Sequence, residues 1–360
     1  MKSFRYLALP AAVGGAAVLG MAPGAAFASD AGNSGSISNQ VVAQVAAPVA
    51  SSQTAGLIGS AISSAISGSI SSVVPAGGNV VPGGVAPSGG LLNSRQMGKG
   101  GAGAAPKLGV WAQGSYVSVE STEASLSMDG YIYNVAGGID YKFNDRGVAG
   151  VSLGFEHVDI DSTFNTGTYK SDGIALAPYI GYSLTPNWSV DFTAGYVWLD
   201  FDTTRNNEAV KGTFEGGRWF GAANLTGNYA VNRWRLSPKV GVLYLNEEHD
   251  AYTESGSSTA QVESDTIKIG RASAGLKVGY AFDNFLPYGK ITGEWDFEHP
   301  DSVLKSNGQM SNDEDFGANL AVGVDIFKGP VSGTVEASYN SALREDLDVW
   351  QATARIRYQF

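Results

Sequence analysis

The sequence predicts an all-β protein: an antiparallel transmembrane β-barrel of about twelve strands, with a possible N-terminal helix in its pore. Three observations predict this fold. Polar and apolar residues alternate in about twelve segments, the connections between segments alternate between short and long, and the N-terminus has the pattern of a secretory signal. An outer-membrane barrel shows such alternation because one face of each strand meets lipid and the other meets the lumen.

The first 28 residues are predicted to be a signal peptide. Lys2 and Arg5 form the basic region, residues 7–19 are apolar, and residues 26–28 read Ala-Phe-Ala, the pattern of a cleavage site. The alternative is an uncleaved N-terminal membrane anchor. The signal predicts that the protein is exported.

The composition of the chain argues against several classes of partner and site. The 360-residue chain has a formal net charge of −11 and no basic patch, which argues against a nucleic-acid partner. It contains no Cys, so disulfides and thiolate metal sites are excluded. No stretch after the signal approaches about 20 consecutive apolar residues, so we expect membrane insertion only as a barrel.

Residues 29–107 form a low-complexity segment rich in Gly, Ala, Ser, Val and Pro. Within it, residues 52–74 are a candidate pore helix about 33 Å long, close to the height of a membrane barrel. Its apolar residues recur at helical spacing. They are Leu57, Ile58, Ala61, Ile62, Ala65, Ile66, Ile70 and Val73. A flexible linker with transient helicity is the alternative, because the stretch contains three Gly.

Residues 108–360 are predicted to form the barrel. Its strands begin near Val110, Tyr131, Val148, Ile174, Trp188, Phe214, Trp234, Thr266, Leu286, Phe316, Val331 and Asp348. The polar face of each strand is expected to line the lumen. The charged residues that this places inside include Arg218, Arg233, Arg235, Lys239, Lys290, Glu294, Asp325, Glu336, Arg355 and Arg357. Such charges either form a ring that sets ion selectivity or grips a plug, or pair across neighbouring strands and keep the lumen wet.

The connections indicate the environment. NDRG, TPN, VN, DN and KGP are tight turns, and they alternate with stretches such as DSTFNTGTYKSD and DTTRNNEAVKG, which are expected to be long loops. Membrane barrels have short periplasmic turns and long outer loops, and aromatic residues gather near the strand ends as interfacial girdles. We therefore expect a location in the outer membrane of a Gram-negative bacterium, in contact with its lipid. The loops would be extracellular and the C-terminus on the periplasmic side.

Several segments resemble the autotransporter β-domain family. They are LSPKVGVLYLNEEHDAYTESG, RASAGLKVGYAF, LPYGKITGEWDFEH and the terminal RIRYQF, within residues 109–360. The resemblance implies a 12-stranded barrel, a helix threaded through the pore and export of an N-terminal passenger. It also implies that Phe360, with Tyr358 and Ile356 on the same face, is a signal that the outer-membrane barrel assembly machinery reads.

Catalysis has little support in the sequence. His157 near Asp159 and His299 near Asp301 sit at strand ends, where omptin-type barrel proteases keep Asp and His residues, but spacing alone does not place a base within reach of its partner. Self-cleaving autotransporters cut at an Asn in the linker, a role for which Asn93 is the candidate here. We expect no catalytic, cofactor or metal site.

These features predict a non-catalytic, monomeric barrel that anchors, threads or displays its own short N-terminal segment at the cell surface. Only residues 29–107 separate the predicted signal from the barrel, and they contain no repeat. One alternative is a small plugged or open pore of porin type. The minor alternative is a barrel hydrolase of omptin type.

Overall fold

The computed structural model describes residues 35–67, 107–123, 125–300 and 315–360. It contains a closed antiparallel barrel of twelve long strands with one helix inside, as the sequence predicts. The predicted signal (1–28), the last part of the predicted pore helix (68–74) and Asn93 lie outside the described residues.

The barrel strands follow one another around the wall in chain order. They are β1 (Leu108–Ser121), β2 (Met128–Lys142), β3 (Gly147–Ser162), β4 (Gly167–Ser183), β5 (Trp188–Arg205), β6 (Val210–Gly227), β7 (Trp234–His249), β8 (Asp265–Tyr280), β9 (Phe285–Glu298), β10 (Phe316–Lys328), β11 (Val331–Ala342) and β12 (Leu347–Gln359). Pairing of β1 with β12, from Gly109↔Gln359 to Ser121↔Leu347, closes the ring. Closure satisfies the backbone hydrogen bonds that an open edge would expose to lipid.

The two ends of the barrel differ. One, here called the turn end, carries the connections 143–146, 184–187, 228–233, 281–284 and 329–330, together with both ends of the strand series. The other, here called the loop end, carries the connections 122–127, 163–166, 206–209, 250–264, 299–315 and 343–346. Short strands decorate both ends: Tyr229–Val231 pairs with β7, Ser255–Gly256 pairs with β6, and Tyr252–Thr253 pairs with Gln261–Val262.

Two of the predicted long loops are wrong. DSTFNTGTYKSD is mostly strand, because β3 runs to Ser162 and β4 begins at Gly167; DTTRNNEAVKG is likewise divided between β5 and β6. The physical reason is a reversal of polarity along these strands. On β3 the exterior residues change from Leu153 and Phe155 to Asp159, whereas the interior residues change from Ser152 to Ile160. Toward the loop end these strands therefore have the pattern of a water-soluble sheet, with a polar exterior and an apolar interior.

The helix α1 spans Gly35–Ser67, so it begins well before residue 52, where the sequence placed its start. Its first half has apolar residues on every side, such as Val41, Val42 and Val45, and it contains Pro48. This pattern lacks the one-sided stripe on which the prediction relied. A helix that is apolar all round is typical of a buried helix, and α1 is enclosed by the barrel.

Candidate functional site: the lumen and its helix

The first half of α1 lies in an apolar seat at the loop end. Its wall-facing residues are buried together with inward side chains of the strands. The helix contributes Val42, Ala43, Ala46, Ala47 and Ala50, and the strands contribute Ile132, Val158, Ile160, Val197, Leu199, Phe201 and Leu245. The small Ala side chains allow the helix backbone to lie close to the barrel wall. Burial of this apolar surface stabilises the seated helix.

The N-terminus of α1 is fixed to the loop between β7 and β8. The amide of Asn39 donates to the Tyr252 hydroxyl at 3.0 Å. Next to Tyr252, the Glu254 carboxylate accepts two hydrogen bonds from Arg205, at 2.9 and 2.6 Å, and a third from Ser258. Burial of Glu254 opposes its ionisation, but these hydrogen bonds and the charge of Arg205 outweigh that effect and lower its pKa.

Polar contacts hold the middle of α1. The Ser115 hydroxyl donates to the Gln53 side-chain oxygen at 3.1 Å, and the Asn134 amide donates to the Thr54 hydroxyl at 2.7 Å. Both strand residues are on the first two strands of the barrel. Since the donors and acceptors are buried, their pairing avoids the cost of unsatisfied polar groups.

At the turn end, α1 packs directly on the backbone of β4. A Cβ added at Gly181 would overlap the side chains of Ile62 and Ile66, so this close approach requires glycine. Arg357 of the last strand also contacts this part of the helix, donating to the carbonyl oxygen of Ala61 at 3.4 Å. The helix C-terminus therefore lies at the turn end, where β1 also begins.

Arg357 belongs to a buried network beneath the helix. Its guanidinium donates to both oxygens of Asp140, at 2.9 and 2.6 Å. Asp140 also accepts from the Tyr179 hydroxyl at 3.1 Å, and that hydroxyl accepts from the Trp111 ring nitrogen at 2.8 Å. A Cβ at Gly109 would collide with the pair, which explains the glycine beside it. The sequence named Arg357 as lumenal, but only the register across the β1–β12 seam pairs it with Asp140.

A second buried ion network lies toward the loop end. Arg218 donates to Glu156 at 2.7 Å and to Glu247 at 2.5 Å, and His249 contacts Glu247 at 2.7 Å. Arg218, Glu156 and Glu247 are each at most 2 % exposed. Of this network, the sequence placed only Arg218 in the lumen and missed Glu156, Glu247 and His249. The alternation on β3, β6 and β7 could have placed its members on one face, but no sequence pattern indicates which charges pair across strands.

The helix is off-centre in the barrel. Its contacts are most numerous with β2–β5, and they leave a cavity of about 690 Å³ beside it. The cavity is bounded by the polar side of α1, including Ser52, Ser60 and Ser64, and by inward residues of β7–β12. Near the loop end the Arg271 guanidinium spans the cavity wall, donating to Asp296 at 2.5 and 2.8 Å and to the Ser52 hydroxyl at 3.4 Å.

The predicted lumenal residues fall mostly along this cavity. Those that line it are Arg235, Lys239, Lys290, Glu294, Asp325, Glu336 and Arg355. Two predicted carboxylates pair with lysines two strands away along the wall: Lys277 on β8 pairs with Asp325 on β10 at 2.7 Å, and Lys290 on β9 pairs with Glu336 on β11 at 2.6 Å. Arg233 is different. It is exposed in the turn before β7, so it falls outside the strand on which the alternation placed it.

The histidines considered for catalysis occupy unrelated positions. His157 is on the exterior of β3, where its ring contacts Asp172 at 2.7 Å and stacks on Tyr133. Asp159, two residues on, pairs with Lys170. His299 lies 3.2 Å from Asp315, and Asp301 is outside the described residues. In the described ranges, no group of three or more His, Asp or Glu side chains is arranged to hold a metal ion.

The last residues complete the barrel wall. Phe360 donates its backbone N–H to Leu108 at 2.9 Å, and its ring meets Tyr358 edge to face. Ile356, Tyr358 and Phe360 project from the exterior, with 57 %, 41 % and 61 % of their surface exposed. They would therefore be available to lipid or to an assembly partner, and their role as an assembly signal stays a prediction.

Comparisons with known proteins point to one family. The profile of the autotransporter beta-domain matches residues 110–345. Among solved structures, the translocator domain of autotransporter NalP from Neisseria meningitidis superposes with a TM-score of 0.59 at 19% identity, covering 73% of this chain and 91% of that one. The β-domain of the Bordetella autotransporter BrkA gives a TM-score of 0.55 at 18% identity, covering 71% of this chain and 100% of that one. At such low sequence identities, these similarities show the fold alone.

Curated relatives match over a shorter range. Esterase EstA of Pseudomonas aeruginosa is 29% identical over 182 residues, which cover 47% of this chain and 28% of the esterase. An uncharacterised protein from the trpE-trpG intergenic region of Pseudomonas putida is 26% identical over 164 residues, covering 42% of this chain and 27% of that protein. The chain thus spans little more than a quarter of the length of these relatives.

Proposed function

Because the chain belongs to the autotransporter β-domain family, we propose that its barrel anchors α1 in the outer membrane and displays the N-terminal end of that helix at the cell surface. The barrel catalyses no reaction in this proposal. The loop end faces the cell exterior, and the turn end, with Phe360, faces the periplasm.

The direction of the helix carries this proposal. α1 begins at the loop end with Gly35, close to the hydrogen bond from Asn39 to Tyr252, and it ends at the turn end with Ser67. Residues 68–106 join two points that both lie at the turn end, namely Ser67 and Lys107. After cleavage of the predicted signal, residues 29–34 would be the part of the chain that precedes α1. The displayed segment is then short, and most of the chain between signal and barrel is either α1 or the connection at the turn end.

An epitope inserted after residue 34 tests the direction directly. We expect antibody to label it on intact cells. The matched control is the same epitope inserted after residue 87, in the connection that begins and ends at the turn end. It should be labelled only after the outer membrane is permeabilised. The opposite pattern, or labelling of both epitopes on intact cells, would overturn the proposal.

The arrangement of the histidines supports a non-catalytic barrel. His157 is on the exterior, His249 is buried against Glu247, and His299 contacts Asp315, so each has a carboxylate partner, and the described contacts include no His–Ser pair. The esterase name belongs to relatives of which this chain covers 28%. Purified protein should hydrolyse p-nitrophenyl butyrate no faster than buffer does. A higher rate that disappears in His157→Ala or His299→Ala would contradict the proposal.

We expect the barrel to work as a monomer, because closure of β1 on β12 leaves no free strand edge for a partner subunit. Its exterior presents a continuous apolar band, and lipid is the solvent that suits such a surface. Light scattering of the purified protein should give the mass of one chain plus bound detergent.

A further inference from the structure

The cavity beside α1 reaches both ends of the barrel. At the turn end it is lined by Phe327, Pro330 and Gln359, and at the loop end by Glu123 and Asp346. The helix lies against the other wall and leaves this space open along its serine-rich side. Within the described residues, this space offers a water-filled path past the helix that does not require the helix to move.

The charges along this path are sorted by sign. The cavity lining near the loop end has two cations, Arg271 and Arg344, and five carboxylates: Glu123, Glu294, Asp296, Glu345 and Asp346. The lining near the turn end has five cations, Arg235, Lys239, Lys277, Lys290 and Arg355, and two carboxylates, Asp325 and Glu336. The part of the path near the turn end, beside the C-terminal half of α1, thus carries an excess of positive charge.

Three of the cations near the turn end have no carboxylate within ion-pair distance among the described residues. Arg355 donates to the Thr334 hydroxyl at 2.8 Å, and its Nη1 has no hydrogen-bond partner in the described part of the chain. Arg235 donates only to backbone carbonyl oxygens in its own turn. Lys239 faces α1 at Gly59, where the Asp191 carboxylate reaches the same position without forming an ion pair with Lys239. Pairing within the wall neutralises Lys277 and Lys290, so these three leave positive charge for a mobile ion to neutralise.

We propose that the passage beside α1 is a filter that conducts small inorganic anions, such as chloride and phosphate, in preference to cations. Fixed charges in a narrow, partly dehydrated lumen set ion selectivity because they raise the local concentration of counter-ions. The filter is formed by Arg235, Lys239 and Arg355. It works with the helix in place, and it does not depend on what the helix displays.

Single-channel recording of the full chain in planar bilayers tests the filter. Reversal potentials in a KCl gradient should give a chloride-to-potassium permeability ratio of about threefold or more at 0.1 M salt, where the Debye length is about 10 Å. The double variant Lys239→Gln/Arg355→Gln removes two unpaired cations, and its ratio should fall to about one. Asp325→Asn/Glu336→Asn removes the two carboxylates and should raise the ratio above that of the unchanged protein.

The matched control is Arg146→Gln/Arg233→Gln. It removes the same charge at the same end of the barrel, from two exposed turn residues outside the cavity lining. This control should keep the ratio of the unchanged protein. Heat-dependent gel mobility confirms that each variant is a folded barrel. A folded full-length protein that passes no current, prefers potassium, or keeps its ratio in Lys239→Gln/Arg355→Gln would overturn the proposal.

Discussion

Arg218 is a buried cation on which a network of buried carboxylates depends. It is 2 % exposed and is shared by Glu156 and Glu247. Replacing it by Met keeps most of the volume but leaves the buried Glu156 without a cation and Glu247 with His249 as its one remaining ion-pair partner among the described residues. Breaking a buried pair in this way costs about 3–5 kcal/mol. We expect Arg218→Met to lower the free energy of unfolding by about that amount, measured by urea titration in lipid vesicles.

The control for Arg218 is an ion pair on the exterior surface. Lys170 pairs with Asp159 at 2.9 Å, but its side chain is 46% exposed. Lys170→Met should change the free energy of unfolding by about 1 kcal/mol or less, because solvent screens exposed pairs. Equal losses of unfolding free energy in the two variants would show that the buried Arg218 network contributes no more to stability than an exposed ion pair does.

Phe360 allows a test of the assembly signal at the residue scale. Phe360→Ala should reduce the amount of folded barrel in the outer membrane several-fold, because the assembly machinery is expected to read the terminal aromatic. Phe285→Ala is the matched control, since Phe285 is also an exposed aromatic on the exterior at the turn end. Quantitative blotting of membrane fractions measures both. Similar levels in the two variants would remove the signal role from Phe360.

Glu254 makes the seat of the helix N-terminus sensitive to acid. Its pKa is lowered in the folded protein, so its contribution to stability is present above the pKa of the unfolded chain. That contribution is lost as pH falls through the lowered folded value. Proteolysis of α1 near Asn39 should therefore increase below about pH 4. Glu254→Gln should remove much of that pH dependence.

At the scale of elements, the position of α1 against one wall is the main finding. The chain has no Cys, so pairs of introduced thiols report the position without background. Thr54→Cys/Asn134→Cys replaces two side chains that share a 2.7 Å hydrogen bond, and a short bis-maleimide should cross-link it rapidly. Thr54→Cys/Ser338→Cys joins the same helix position to the cavity side and should react much more slowly. Equal rates would indicate a helix that moves freely across the lumen.

Gly181 supplies a second readout for the same packing. In a Gly181→Val background the new side chain would collide with Ile62 and Ile66, which displaces the C-terminal half of α1 from β4. Cross-linking of Thr54→Cys/Asn134→Cys should then slow. Gly221→Val is the control, because a Cβ there meets only a backbone oxygen at 3.9 Å.

Some strand boundaries could be predicted from the sequence pattern, and others could not. Alternation over β7–β12 predicted strand starts within a residue or two, because there the exterior meets lipid and the interior meets water along most of each strand. It failed for the start of β4, predicted at Ile174 and found at Gly167. The residues Thr168, Lys170 and Asp172 are polar and exterior, so they had the composition of a loop. The alternation continues through them with Tyr169 and Ser171 inward, and this continuing period was the available signal.

The contacts inside the lumen could be predicted from the sequence less well than the strands of the barrel wall. The sequence shows which residues share a face, but the off-centre helix decides which of them meet water. Asn134 and Ser115 contact α1, whereas Lys290 and Glu336 line the open cavity. Nothing in the periodicity of the strands indicates this difference. The first half of α1 was missed for a related reason, since its apolar residues face both the seat and the cavity.

For the whole molecule, the reversal of polarity along β3–β6 places the membrane boundary. These strands have 16–18 residues, against 12–14 for β9–β12. The additional residues of these strands lie toward the loop end, where the exterior becomes polar at Asp172 and Asp200. We therefore expect one side of the barrel to project beyond the lipid as a wall, whose apolar inner face holds the first half of α1.

This projection predicts different environments for two exterior positions on β4. Leu176 and Lys170 share a face and are separated by about 20 Å of strand. In brominated-lipid vesicles, an environment-sensitive fluorophore on Leu176→Cys should have blue-shifted emission and be strongly quenched. The same fluorophore on Lys170→Cys should emit as in water and escape quenching. Trp198→Cys and Asp202→Cys repeat the comparison on β5. Equal quenching at Lys170→Cys and Leu176→Cys would place the whole strand in lipid, and the apolar seat of α1 would then lie within the membrane rather than above it.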